Sequence, residues 1–426
     1  MHFPIERFTL PNGLRVVLSE DRSLPVVAVN LWYNVGSRNE RPGRTGFAHL
    51  FEHMMFQGSA HVPDTGHIAQ VERAGGSVNG STWLDRTNYY QTLPSNHLDL
   101  ALWLESDRMG FLAEAMTQEK LDNQREVVKN ERRWRVDNQP YGDWDERLQA
   151  MVFPADHPYH HSVIGSMDDL DAASLDDVIA FFRTYYAPNN AVLSLCGDFE
   201  AQAARDSIDR YFGPLPRGPE LPPLPGRVEI PPTLEREIRT VVRSVVALPR
   251  VYMAMRVPVF GSPGFYAAET AAHLLAGGKA SRLYGDLVRT RRLAQDVAAF
   301  VFPVVTGSAM VVLWATAAPD ADAGVVEAAL RAHLVELAGA PARAAEVERA
   351  ILATEAQHTI SLQQVGTRAD QLSMFTTQFD APDRINTELD RYRAVAPKGV
   401  QELAGSFLNP DRAAVLVYLP APPEGS

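Results

Sequence analysis

His49 and His53 stand four residues apart with Glu52 between them, in Phe47-Ala48-His49-Leu50-Phe51-Glu52-His53-Met54-Met55-Phe56. On a helix, positions four apart share one face, so both imidazoles can reach a single zinc ion. Glu52, three positions after His49, lies on the same side. It can act on a water held there without being a ligand itself. The order His-x-x-Glu-His reverses the commoner His-Glu-x-x-His arrangement of zinc hydrolases. The competing reading is an amphipathic helix with two incidental histidines. Against it, the two histidines and the glutamate interrupt what would be the apolar face of a core helix, and burying three polar groups together is costly unless something satisfies them.

A catalytic zinc takes three protein ligands and keeps one position open. A third donor is therefore required. The helical pattern Leu121, Gln124, Val128, Glu131 recurs at three- and four-residue steps, which puts Glu131 on an inward stripe. Glu126 falls about 140° away round the same helix and is expected to face solvent. On pattern alone, a solvated surface charge remains the alternative for Glu131.

Those residues need elements to hold them. Met1 to Glu20 alternates apolar and polar residues around Pro11-Asn12-Gly13 and predicts a hairpin. Leu14–Leu18 and Val26–Tyr33 predict strands. Thr45–Gln57 predicts a helix closed by Gly58, and Thr117–Arg135 a long helix. Ser174–Tyr186 predicts a helix opened by a capping box in which Asp177 replaces the usual Glu or Gln. Ser77–Thr82, after two glycines, predicts an exposed edge strand on which an extended peptide could pair.

The run from Pro214 to Pro232 is proline-rich and can form neither helix nor central strand. It separates halves that resemble each other. Tyr186-Ala-Pro-Asn-Asn-Ala-Val-Leu193 matches Leu408-Asn-Pro-Asp-Arg-Ala-Ala-Val-Leu416, and Phe47-Ala-His49-Leu matches Ala271-Ala-His273-Leu, both offset by about 220 residues. The expected architecture is α+β: two homologous domains, each a mostly antiparallel sheet flanked by helices. Residues 1–216 form the metal-binding domain, 217–233 the linker and 234–426 the domain without metal. Ala276 and Gly277 stand where the second half would need counterparts of Glu52 and His53.

Composition narrows the function classes. A net charge of −12 argues against a nucleic-acid binder, which needs a basic face. The single cysteine, Cys196, lies in an apolar run and reads as a small buried strand residue, so no disulfide can form within the chain. No apolar stretch approaches the ~20 residues of a membrane span, and the N-terminus does not read as a signal peptide. A cytoplasmic location is expected, or a periplasmic one had a leader been removed. His157, His160 and His161 cluster in a proline- and glycine-bounded loop without a carboxylate at helical spacing, and no metal role is assigned to them. Arg132, Arg133 and Arg135 end a helix and complement its dipole. Trp83, Trp103 and Trp134 read as core or cavity lining.

The sequence resembles the pitrilysin/insulinase family of inverted-motif zinc peptidases, which includes the mitochondrial processing peptidases. The resemblance covers essentially the whole chain. Its landmarks are Phe8-Thr-Leu-Pro-Asn-Gly-Leu-Arg-Val-Val17, Gly36-Ser-Arg-Asn-Glu40, the His49–His53 motif, Gly75-Gly-Ser-Val-Asn79-Gly80, Arg125-Glu-Val-Val-Lys-Asn-Glu131, His157-Pro-Tyr159 with Ile164-Gly165, and Pro188-Asn-Asn190. The resemblance implies that Glu131 is the third ligand of one zinc per chain, with Glu52 as general base. It places Ser77 and Asn79 on the strand that binds substrate. Gln124 occupies a position where the family often has a supporting glutamate, and would act beside the metal ligands by hydrogen bonding without charge.

In such proteins the metal-free half commonly supplies an arginine and a tyrosine that hold the substrate carbonyl. Here Arg289 is present but Gln295 stands where tyrosine is expected. The resemblance thus implies an endopeptidase that closes over peptides or small unfolded polypeptides together with a homologous subunit supplying the missing Arg/Tyr pair. A heterodimer is favoured and a homodimer is possible. The competing functions are a structural subunit of a larger complex and a peptide-binding subunit without activity.

Overall fold

The computed structural model describes residues 2–422. Contacts divide the chain into two compact units that do not coincide with its two halves. The first unit runs through Arg132 and adds His161–Pro225 and His358–Thr387. The second comprises Arg133–His160, Gly226–Gln357 and the stretch from Glu388 onward. The division at 216 and 233 read from the linker therefore follows the duplicated chain, whereas the packed units exchange a segment each. Between them in sequence, residues 217–233 carry neither helix nor strand, as expected where proline removes amide donors.

In the first unit a six-stranded sheet has the order β1-β2-β6-β3-β5-β4. Its strands are β1 (Glu6–Thr9), β2 (Arg15–Glu20), β3 (Val26–Tyr33), β4 (Ser77–Thr82), β5 (Thr87–Pro94) and β6 (Ala191–Gly197). β1 and β2 form the hairpin expected around Gly13, which adopts φ +94°. Only β2–β6 is a parallel pair. The helices α1 (Phe47–Met54) and α2 (Gly66–Arg73) lie between β3 and β4 in the chain, and α3 (Leu98–Ala115) and α4 (Gln118–Arg132) between β5 and β6. The core brings Leu18, Val29, Leu31, Leu193 and Leu195 from the sheet together with Leu50, Phe51 and Phe182 from helices. Cys196 is fully buried in β6, and burial pushes its thiol up to about 12, which makes it inert.

The exchanged helix Val365–Phe379 packs on β3 and β6. Ser373 Oγ donates to Ser194 Oγ at 2.8 Å, and Asn88 Nδ2 on β5 donates to Asp370 Oδ1 at 2.8 Å.

The second unit holds a five-stranded sheet of order β7-β11-β8-β10-β9. These are β7 (Ile238–Ser244), β8 (Arg250–Val257), β9 (Ala294–Phe302), β10 (Ala309–Ala317) and β11 (Ala414–Pro420). Without β1, the first sheet reads β2-β6-β3-β5-β4, the same permutation of chain order. The single parallel pair, β7–β11, also corresponds to β2–β6. The weak sequence repeat is thus a duplicated topology. The helix Trp144–Val152, from the segment this unit receives, packs on β8 and β11, with Trp144 stacked 5.4 Å from Tyr252.

Several local expectations shift. The helix predicted over Thr45–Gln57 is shorter, Phe47–Met54, because Gly46 takes a left-handed φ of +84° in front of it. The helix predicted to Arg135 is α-helical to Arg132, followed by a wider turn over Arg133–Asp137. Leu175–Tyr185 begins as expected, with Ser174 Oγ accepting from Asp177 N and Asp177 Oδ2 from Ser174 N. Trp134 is not core: it is 67% exposed.

Candidate metal centre

α1 buries Phe47, Leu50, Phe51 and Met54 on one face. Phe51 packs on Phe181, Phe182 and Tyr186. His49, Glu52 and His53 therefore do not interrupt the apolar face. They form their own stripe on the opposite side, at the complementary three- and four-residue steps. Glu40 fixes the start of this helix. Its fully buried carboxylate accepts from Gly46 N at 2.9 Å and from Ala48 N at 2.7 Å, satisfying amides that a helix start leaves without intrahelical partners. Gly46 is required there because a Cβ would meet Ile164 O at 2.6 Å.

α4 packs against α1 and buries Leu121, Gln124 and Val128, with Glu131 next along that stripe and Glu126 exposed. The helix is tied down by its other side chains. Arg125 donates to Leu170 O at 2.9 Å and Ala173 O at 2.7 Å, and Arg132 to Gly165 O at 2.7 Å.

The packing brings His49, His53 and Glu131 together. One donor atom from each lies within 4.8 Å of the others, and this is the one such group among the described residues. His53 Nε2 is 3.3 Å and His49 Nε2 3.8 Å from Glu131 Oε2. A tetrahedral zinc shell with ligands at 2.0–2.1 Å has edges of about 3.3–3.4 Å. The separations and the donor types fit zinc, and small adjustments of the side chains close the remainder. With 13%, 22% and 17% exposure for His49, His53 and Glu131, the group is shielded yet open to an incoming molecule.

Glu52 points to the same side. Burial raises its pKa, while Thr82, His53 and Arg86 oppose the shift. Thr82 Oγ1 donates to its Oε2 at 2.5 Å. A Cβ on Gly80 would lie 3.2 Å from Glu52 Oε1. Thr82, Gly80 and Arg86 were not singled out from sequence. Gly80 alone carried a signal, since glycine inside a strand marks close approach of another group.

β4 is an edge strand as expected, paired on one side only with β5. Ser77 and Asn79 are exposed on it, and Asn79 Oδ1 accepts from Gly80 N at 2.8 Å. Gln124 is buried on α4. Arg289 and Gln295 lie in the second unit and are both exposed. The three clustered histidines do not converge on a common point. His157 stacks on Phe153 at 4.9 Å, His160 Nδ1 lies 2.8 Å from Phe153 O, and His161 Nδ1 lies 3.5 Å from Glu40 Oε2.

Residues 15–155 match the family described as Insulinase (Peptidase family M16), and residues 172–354 match Peptidase M16 inactive domain. The chain belongs to the M16 peptidase family. The second match covers Ala276 and Gly277, where counterparts of Glu52 and His53 are missing. Among curated M16 relatives, the zinc protease PqqE of Helicobacter pylori is 35% identical over 295 residues, covering 68% of this chain and 65% of that protein. The chain thus aligns with slightly less than two thirds of that relative's length. The crystal structure of a protease from Helicobacter pylori superimposes with a TM-score of 0.92 at 26% identity, covering 99% of this chain and 100% of that one. The M16 inactive domain from Pseudomonas fluorescens gives a TM-score of 0.86 at 18% identity, covering 98% of both chains, and shares the fold. Among the described residues no helix is long and apolar enough to cross a membrane.

Proposed function

We propose that this chain is the metal-bearing subunit of a zinc endopeptidase acting on peptides or small unfolded polypeptides. The observation that carries the proposal is the convergence of His49, His53 and Glu131 beside a carboxylate, Glu52, that is not part of the donor group. Zinc held there would supply Lewis acidity, polarising a carbonyl and making water acidic enough to ionise near neutrality. Glu52 Oε1 takes the proton from the attacking water and returns it to the leaving amine. An extended peptide adds to the free edge of β4 through backbone hydrogen bonds, with Ser77 and Asn79 beside it. Gln124 supports the ligands from α4.

The carbonyl clamp is incomplete in this chain, which has Arg289 but Gln295 where a tyrosine is expected. A homologous partner subunit completes it and encloses the substrate, in a heterodimer or a homodimer. A cytoplasmic or, with a leader, periplasmic enzyme is consistent with this reading. The PqqE relative is called a zinc protease, which supports the metal and the reaction class. A structural or purely peptide-binding subunit would have no use for three ligand-type side chains converging on one point.

Metal analysis of the purified chain, with peptide cleavage measured alone and with whatever homologue co-purifies, tests the proposal. About one zinc per chain and cleavage that rises with the partner are expected. A chain without bound zinc overturns it.

A further inference from the structure

The carboxylate of Glu52 is held from β4: Thr82 Oγ1 donates to Oε2 at 2.5 Å, while Oε1 lies beside Gly80, where an added Cβ would crowd it at 3.2 Å. Thr82 has little competition for its proton. The neighbouring hydroxyl, Thr87 Oγ1, approaches it at 3.5 Å but donates to Val35 O at 2.9 Å. A glutamate has three side-chain torsions to fix, and an unheld base samples geometries from which it cannot reach the reacting water.

The end of β4 that carries Thr82 is pinned in turn. Arg86 Nη1 donates to Ser81 O at 2.7 Å and to Ser81 Oγ at 2.5 Å. Ser81 Oγ donates to Asn88 Oδ1 at 2.6 Å, and Asn88 Nδ2 to Asp370 Oδ1 at 2.8 Å. Asn30 Nδ2 reaches the same oxygen at 3.3 Å. Asp370 lies on the helix Val365–Phe379, which the second half of the chain contributes to this unit.

We infer that Thr82 is a positioning residue for the general base: its hydroxyl locks Glu52 Oε2 so that Oε1 meets the reacting water. Because Thr82 belongs to the strand that also receives the peptide, base and scissile carbonyl are registered on one element. This rests on the reading of Glu52 as general base.

The test compares Thr82→Val, Thr82→Ala and Thr82→Ser in the full chain with its partner, reading kcat and KM separately together with zinc content and thermal midpoint. The Val and Ala variants should keep zinc, midpoint and KM within about twofold of the parent while kcat falls about 10- to 100-fold. The Ser variant, which retains the hydroxyl, should recover most of kcat. Parent-like kcat in the Val or Ala variant overturns the inference, as does a Ser variant as slow as they are. Glu52→Gln assayed on the same peptide separates the two levels. Surviving turnover there removes the general base itself, whereas a dead Glu52→Gln beside a normal Thr82→Ala removes only the positioning role.

Discussion

His53 Nε2 and Glu131 Oε2 stand 3.3 Å apart, although one comes from α1 and the other from the far end of α4. Nothing local imposes that distance. It follows from α4 packing its Leu121, Gln124 and Val128 stripe inward and from Arg125 and Arg132 anchoring the helix to the backbone at Leu170, Ala173 and Gly165.

Glu131→Ala removes one of the three donors and should reduce bound zinc from about one per chain to a small fraction, with loss of cleavage. Elemental analysis after gel filtration reads the stoichiometry. Full zinc occupancy in this variant would take Glu131 out of the ligand set.

Glu52→Gln keeps the shape of the side chain and removes its basicity. Zinc content should be unchanged and kcat should drop by about 10²–10⁴. Steady-state cleavage of a quenched fluorescent peptide measures it, and near-normal turnover would rule out the proposed base.

Gly80→Val places a branched side chain where an added Cβ already lies 3.2 Å from Glu52 Cγ, Glu52 Oε1 and Phe56. Glu52 must move, and kcat should fall by about tenfold or more with zinc retained. Gly80→Ala, which needs only a few tenths of an ångström of adjustment, should fall less. Equal activity in both variants would show that the gap at Gly80 does not matter.

Glu40→Ala strips two backbone amides at the start of α1 of their acceptor in a fully buried place. The expected loss is roughly 1–3 kcal/mol, seen as a lower unfolding midpoint and faster zinc loss to a chelator. An unchanged midpoint would mean the cap is dispensable.

His157 gives a pH dependence. Burial against Phe153 lowers its pKa from 6.5 to about 4. Between those values the unfolded chain binds the proton and the folded one does not, so this stabilising contribution is present above pH 6.5 and is lost as pH falls towards 4. The thermal midpoint of the parent minus that of His157→Phe should therefore fall on acidification across that window. A difference constant with pH would remove His157 as its source.

Much of the fold was legible because its signals are local. The hairpin at Gly13, the capped helix at Ser174, the prolines of the linker and the edge character of Ser77–Thr82 depend on neighbours within a few residues. His49, Glu52 and His53 were legible for the same reason, since helical spacing alone puts them on one side. The duplication was faint in the sequence and plain in the topology, because strand order survives substitutions that erase identity.

Other features depended on long-range packing. Trp134 has the side chain of a core residue but stands exposed, on the wider turn that follows α4 at Arg133. Asp370 carried no signal at all. It matters only because the two chain halves exchange helices, and that exchange is decided by which apolar sheet face each helix can cover.

The sequence by itself determined what can be encoded in a turn or two of chain: two imidazoles and a carboxylate on one helix face, and a strand left without a neighbour. Tertiary structure alone decided that Glu131 arrives beside them, that Thr82 reaches Glu52 and that a helix from the other half buttresses β5. Those contacts join residues far apart in the chain, and their distances are fixed by how whole elements close-pack rather than by any periodicity a sequence can display.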